Sequence, residues 1–144
     1  MVDESLINAV KEKIDAGAGA ASPEDIMKMF ELYEAIAEEN EDLAEELEDM
    51  DIVVQMIITD ADKKYWVKAR EGKFEYGEGE IDNPSFTFSA TMEVGAGMLF
   101  GEVDATSAYM AGDITVEGNL QDAMAFQEII ELAMEGYEDI LDEL

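Results

Sequence analysis

The spacing of apolar positions changes twice along this chain. Leu6, Ile7, Val10 and Ile14 recur at helical intervals and predict a short helix within residues 1–16. The following Gly17-Ala-Gly-Ala-Ala21 reads as a flexible exit. Ser22-Pro23-Glu24-Asp25 is a helix start, with a capping hydroxyl, proline at the first helical position and acids in the first turn. Ile26, Met29, Phe30, Tyr33, Ile36 and Ala37 form the apolar stripe of that helix, which thins at residues 38–41 and resumes at Leu43, Ala44 and Leu47. One long helix, or two with a break near Asn40, would fit.

From Asp51 the period falls to two. Ile52, Val54, Met56 and Ile58 share one side of a strand. Asp60-Ala61-Asp62 makes a turn, residues 63–70 a second strand, Phe74-Glu75-Tyr76 a third, and Ser85-Phe86-Thr87-Phe88-Ser89 a fourth. Short links between these four predict antiparallel pairing. Residues 91–100 read as a helix despite Gly95 and Gly97, residues 104–110 as another, and residues 113–117 as a fifth strand. Gly118-Asn119 then starts a long amphipathic helix over residues 120–141, with Ala123, Phe126, Ile130, Ala133, Tyr137 and Leu141 on one face. The periodicity alone gives five strands flanked by helices.

Composition removes several chemistries. The chain has no cysteine and no histidine among its 144 residues, which excludes thiolate and imidazole sites and implies no metal and no cofactor. The net charge is −29, repelling nucleic acid and anionic membrane surfaces. Residues 1–51 carry 3 basic and 17 acidic side chains, residues 113–144 none and 10. A solvated surface adapted to high internal salt accounts for this, and stability is then expected to rise with salt. No apolar run reaches membrane-spanning length and no signal peptide is visible, so a cytoplasmic protein without stable membrane insertion is expected.

Two motifs resemble sites without completing them. Asp60, Asp62 and Glu71 match positions 1, 3 and 12 of a calcium loop, but Tyr65 occupies the glycine position and Lys64 intrudes, so a hairpin turn is the better reading. Gly95-x-Gly97-x-x-x-Gly101 lacks both the spacing and the βαβ setting of a nucleotide fingerprint. Lys63, Lys64, Lys68, Arg70 and Lys73 form the one basic cluster, suited to cross-strand ion pairs or to an anionic headgroup. Ten methionines fit either a loose core or a pocket for a flexible apolar ligand.

The ordered set Gly101-Glu-Val-Asp-Ala-Thr-Ser107-Ala108-Tyr109-Met110-Ala-Gly112-Asp-Ile114-Thr-Val116-Glu-Gly118-Asn119 with Ala123-Met124 resembles the C-terminal signature of the sterol carrier protein 2 (SCP2) family. Phe86-Thr-Phe88, Tyr65-Trp66-Val67 and Glu71-Gly72-Lys73 extend the likeness upstream. The resemblance implies an α+β fold, a five-stranded and mostly antiparallel sheet covered by helices, enclosing an apolar tunnel that binds lipids, of fatty acid, sterol or isoprenoid, or acyl-CoA type, without catalysis. It also implies a division into an N-terminal helical extension and linker, residues 1–21, and a lipid-binding domain, residues 22–144. Carried over by position, the tunnel would be lined by Met92, Met98, Leu99, Phe100, Tyr109 and Met110, with Tyr109 and Met110 facing inward. Met124, Phe126 and Ile130 of the last helix and Phe86 and Phe88 of the sheet complete the set. Burying twelve methylenes there would supply about 10 kcal/mol before ordering costs. Asp113 and Glu117 stand where the family often carries basic residues, which disfavours delivery to anionic membranes. The alternative is a protein-interaction module holding a partner's apolar helix or tail in the same groove.

Overall fold

The computed structural model describes residues 2–144. Helices α1 (Glu4–Ala16), α2 (Pro23–Glu39) and α3 (Glu41–Glu48) precede strands β1 (Asp51–Ile58), β2 (Lys63–Arg70), β3 (Lys73–Glu78) and β4 (Phe86–Ala90). Helices α4 (Met92–Phe100) and α5 (Ala105–Ala111), strand β5 (Thr115–Gly118) and helix α6 (Leu120–Glu143) complete the chain. The break near Asn40 is real. Its side chain accepts from the Leu43 amide at 3.0 Å and starts α3, while its own amide closes α2 on Ile36.

The sheet runs β3-β2-β1-β4-β5 and is mostly antiparallel, but among the first four strands one pairing departs from the antiparallel expectation: β4 lies parallel to β1. A link of residues 79–85 carries the chain from the β3 edge across β2 and β1, so that β4 runs in the same sense as β3 and β1. Gln55 makes this crossing possible. Its amide is buried on the outer sheet face, donates to the carbonyls of Tyr65 at 2.8 Å and Gly79 at 3.0 Å, and accepts from the Ile81 amide at 2.8 Å. The crossing segment thus finds partners for backbone groups that would otherwise be orphaned. Ser85 finishes the link through two bonds with Val53, at 2.7 and 3.0 Å.

Ile52, Val54, Met56 and Ile58 of β1, Tyr65, Val67 and Ala69 of β2, and Phe86, Phe88 and Ala90 of β4 turn to the inner face and are buried. Helices α2, α4 and α6 cover them. Over β2 and β3 the core is aromatic and tight, with Phe30 of α2 within 6.3 Å of the rings of Tyr65, Phe74 and Tyr76. Gly95 lets α4 lie on β1, because a Cβ there would meet Ile58 Cδ1 and Met56 Cε at 2.9 Å. The N-terminal helix is not pendant: Ile7 and Val10 are fully buried, and the expected flexible exit forms a short 3₁₀ turn, Ala18–Ala20, with Ala18 buried.

Tyr33 ties α2 to α4. Its hydroxyl donates to the carbonyl of Leu99, one of the terminal carbonyls of α4 that no helical amide can reach, and burial pushes that hydroxyl far above the ordinary tyrosine range. Tyr33→Phe should leave this carbonyl buried without a partner and cost about 1–3 kcal/mol, read as a lower urea midpoint at constant slope. An unchanged midpoint would mean that the carbonyl finds water.

The basic cluster lies on and beside the outer sheet face and is largely paired. Lys63 meets Glu78 at 3.0 Å, Lys64 meets Glu80 at 2.6 Å, and Arg70 meets Asp51 at 3.4 Å, while Lys68 lies 5.6 Å from the Trp66 ring centre. Such exposed pairs contribute roughly 0–1 kcal/mol each. Asp60 belongs to the turn after β1, where its carboxylate accepts from the Met92 amide at 2.8 Å and helps start α4.

Candidate functional site

At the opposite end of the sheet from the aromatic cluster, the inner face is incompletely covered. The edge strand β5 is four residues long, and α5 ends at Gly112 after two turns. The chain reaches β5 late because the Asp113 amide, at 2.8 Å, and the Ile114 amide return to the Ala108 carbonyl and finish α5. The strand therefore starts at Thr115 rather than at residue 113. Gly118 and Asn119 then turn the chain into α6, with Asn119 Oδ1 accepting from Gln121 at 2.9 Å and Asp122 at 3.1 Å. Helix α6 leaves this turn over β4 and lays Phe126 against Phe86 and Phe88, ring centres 6.1 and 6.4 Å apart.

Between α5, β4, β5 and α6 remains a cleft of about 210 Å³. Phe86 and Phe88 form its floor, Phe126, Ile130 and Ala123 one wall, and Ile114, Val116 and Met98 the inner end. Tyr109, Met110, Leu120 and Met124 form its rim. This is a half-open cleft and not the closed tunnel expected from the sequence. Its volume exceeds the roughly 150 Å³ of an apolar cavity that stays dry and takes up benzene.

Eight of the eleven expected lining residues meet at this cleft: Phe86, Phe88, Met98, Tyr109, Met110, Met124, Phe126 and Ile130. Tyr109 and Met110 do not face inward, however. They are 43% and 83% exposed, since α5 packs through Ala108 and turns this pair toward solvent at the mouth. Met92 and Leu99 lie in the core away from the cleft, Met92 at the start of α4 and Leu99 beneath Tyr33. Phe100 borders a second hollow of about 460 Å³ instead. The sequence reading missed Ala105, Thr106, Ile114, Val116, Leu120, Ala123 and Gln127. Ile114 and Val116 were legible as the apolar side of a half-buried strand, and Ala123 as part of the α6 stripe.

The two hollows share Met98, Ala105, Gln127 and Ile130. Across that boundary Gln127 donates to Asp104 at 3.0 Å and to Glu131 at 3.1 Å, linking the start of α5 to α6. Asp104 also caps α5 by accepting from the Ser107 hydroxyl and amide, at 2.8 and 3.1 Å. The Ser107 hydroxyl first, then its amide and Gln127, hold the Asp104 carboxyl below its ordinary range. Its stabilising contribution is therefore complete above the ordinary carboxylate range and is lost as pH falls through the depressed value. Beyond this link the second hollow is acidic, bordered by Glu102, Asp104, Glu131, Glu135 and Glu138.

A family model, the SCP-2 sterol transfer family, matches residues 30–131, which takes in the sheet, the cleft and the first half of α6. The chain belongs to this family. No curated protein sequence matches it. Among solved structures, the SCP2 domain of Helicoverpa armigera superposes with a TM-score of 0.60 at 23% identity, covering 78% of this chain and 92% of that one. Apo sterol carrier protein 2 from Yarrowia lipolytica gives 0.59 at 15% identity, over 74% and 89%. A stereoselective inverting sec-alkylsulfatase, Pisa1 from Pseudomonas sp., gives 0.60 at 14% identity, but this SCP2 chain spans only 17% of that enzyme's length. At these identities the likeness is one of fold. Membership suggests lipid binding or transfer, and among the described residues no helix of this SCP2 chain is long and apolar enough to cross a membrane.

Proposed function

We propose that this SCP2 chain binds a lipid or another apolar small molecule in the cleft between α5, β5 and α6, and carries or stores it without breaking a bond. One observation carries the reading. Among the described residues five large hydrophobic side chains are exposed, and four of them, Tyr109, Met110, Leu120 and Met124, rim this one cleft, the fifth being Leu144 at the C-terminus. Exposed apolar side chains scattered singly are ordinary, whereas a contiguous set around an apolar hollow marks a binding surface. Methionine suits the task, since Met98, Met110 and Met124 adapt to ligands of irregular shape. Desolvation drives uptake at about 0.8 kcal/mol per buried methylene. The acidic surface supports a cytoplasmic carrier that does not dock on a bare anionic bilayer.

Native mass spectrometry of untreated protein should show an added mass that organic extraction removes, and the extracted protein should bind an apolar fluorophore at micromolar concentration. Extracted protein that binds neither lipid nor fluorophore would contradict the reading. A protein that co-purifies stoichiometrically and is not displaced by lipid would assign the cleft to a partner's apolar helix instead.

A further inference from the structure

The charge distribution around the cleft bears on which lipids it accepts. All eight cations of this chain lie at or before Lys73, and residues 74–144 carry 17 carboxylates and no lysine, arginine or histidine. Every residue lining the cleft comes from that second half, and among the described residues no cation borders either hollow. Among the described residues no charged side chain lines the cleft itself. Its polar members are Thr106, Tyr109 and Gln127, all neutral, with Gln127 on the boundary where a ligand head emerging from the apolar end would lie. The adjoining hollow adds five carboxylates and sets the local potential negative, and low-dielectric walls focus such a field.

Resting on the lipid-binding reading above, we propose that the cleft selects apolar molecules with an uncharged, hydrogen-bond-donating head, such as a long-chain alcohol, and discriminates against carboxylate or phosphate heads on the same chain. An anionic head would leave water with no cation to receive it and would face carboxylates across the Gln127 boundary. That uncompensated desolvation is costly. A hydroxyl head meets no such penalty: Gln127 spends both amide protons on Asp104 and Glu131 and accepts from the Thr106 hydroxyl at 3.3 Å, so the neutral oxygens there offer acceptor capacity to a head that donates.

The test compares decanol with decanoate, probes of one chain length and two head charges, by displacement of an apolar fluorophore at neutral pH and low salt. The expected result is decanol tighter by about tenfold or more, with the ratio shrinking in 1 M KCl, where the screening length falls to about 3 Å. The Glu135→Lys/Glu138→Lys variant, altering two exposed positions on α6, should shrink the same ratio several-fold. Decanoate binding as tightly as decanol at low salt would overturn the proposal while leaving lipid binding intact. A large ratio unmoved by both salt and charge reversal would overturn it too, since chain desolvation alone would then explain the preference. If neither probe displaces the fluorophore, the lipid-binding reading itself fails.

Discussion

Replacing Ala123 by tryptophan is expected to reduce affinity for apolar ligands by on the order of 100-fold, roughly 2.7 kcal/mol, without unfolding the protein. Ala123 stands on the first turns of α6 and lines the cleft beside Met124 and Phe126. An indole there projects into the space a ligand would occupy. Because the cleft is half open, the added ring is accommodated toward the rim, unlike an insertion into a closed core, where overpacking costs about 1–3 kcal/mol. Fluorophore titration beside a thermal melt separates the two effects. Lost binding at an unchanged melting temperature is the expected result, and unchanged binding would place the ligand elsewhere.

Gly118→Ala should produce the largest loss of stability of any single-methyl addition near the site. Gly118 has φ of 108°, and a Cβ there would lie 2.7 Å from the Ser85 carbonyl oxygen and 2.9 Å from Phe86 Cα, both backbone atoms that no rotamer can move. Strain of about 1–3 kcal/mol from the dihedral is joined by a similar cost from the clash, about 4 kcal/mol in all. Gly112→Ala is the control. Its φ of 81° is also left-handed, but nothing lies within 4 Å of the new methyl, so about 1–2 kcal/mol is expected. Urea midpoints for the pair should differ in that order, and equal midpoints would show that β5 can shift away from β4. Ser85 makes such a shift difficult. Its carbonyl accepts from the Asn119 amide at 2.9 Å, and its own amide and hydroxyl are held by Val53.

The elements of this chain are legible where periodicity is strong, and the site is legible in part. The stripe of α2, the alternation of β1 and β4, and the cap at Asn119 all predict what forms, because each rests on local spacing or on one side chain reaching its own backbone. The parallel β1/β4 pairing is not local. It depends on Gln55 holding Gly79 and Ile81 from the outer face of the sheet, and a single buried glutamine inside an apolar strand gives no warning of its partners. Residues of α4 are misassigned for a related reason. Met92, Ala96, Met98, Leu99 and Phe100 are all buried, so the helix is apolar all round and no stripe reveals that only Met98 of these meets the cleft. Tyr109 and Met110 illustrate the converse. Their apolar character suggests the interior, but a binding site needs apolar groups left uncovered, and that exposure is set by how Ala108 seats α5.

The ambiguity of the ten methionines also resolves in physical terms. Met29 and Met56 fill the core at 1% exposure each, whereas Met98, Met110 and Met124 surround the cleft. Composition could not divide them, since the same flexible thioether serves both uses.

The central claim, that an apolar ligand lies between α5, β5 and α6, is tested most directly by photo-cross-linking with a long-chain alcohol carrying a diazirine near its tail. Peptide mapping should place the adducts on Phe86, Phe88, Met98, Phe126 or Ile130, with competition by unlabelled decanol. Adducts confined to the outer face of the sheet, around Trp66 and Lys68, or adducts that unlabelled ligand does not suppress, would contradict it.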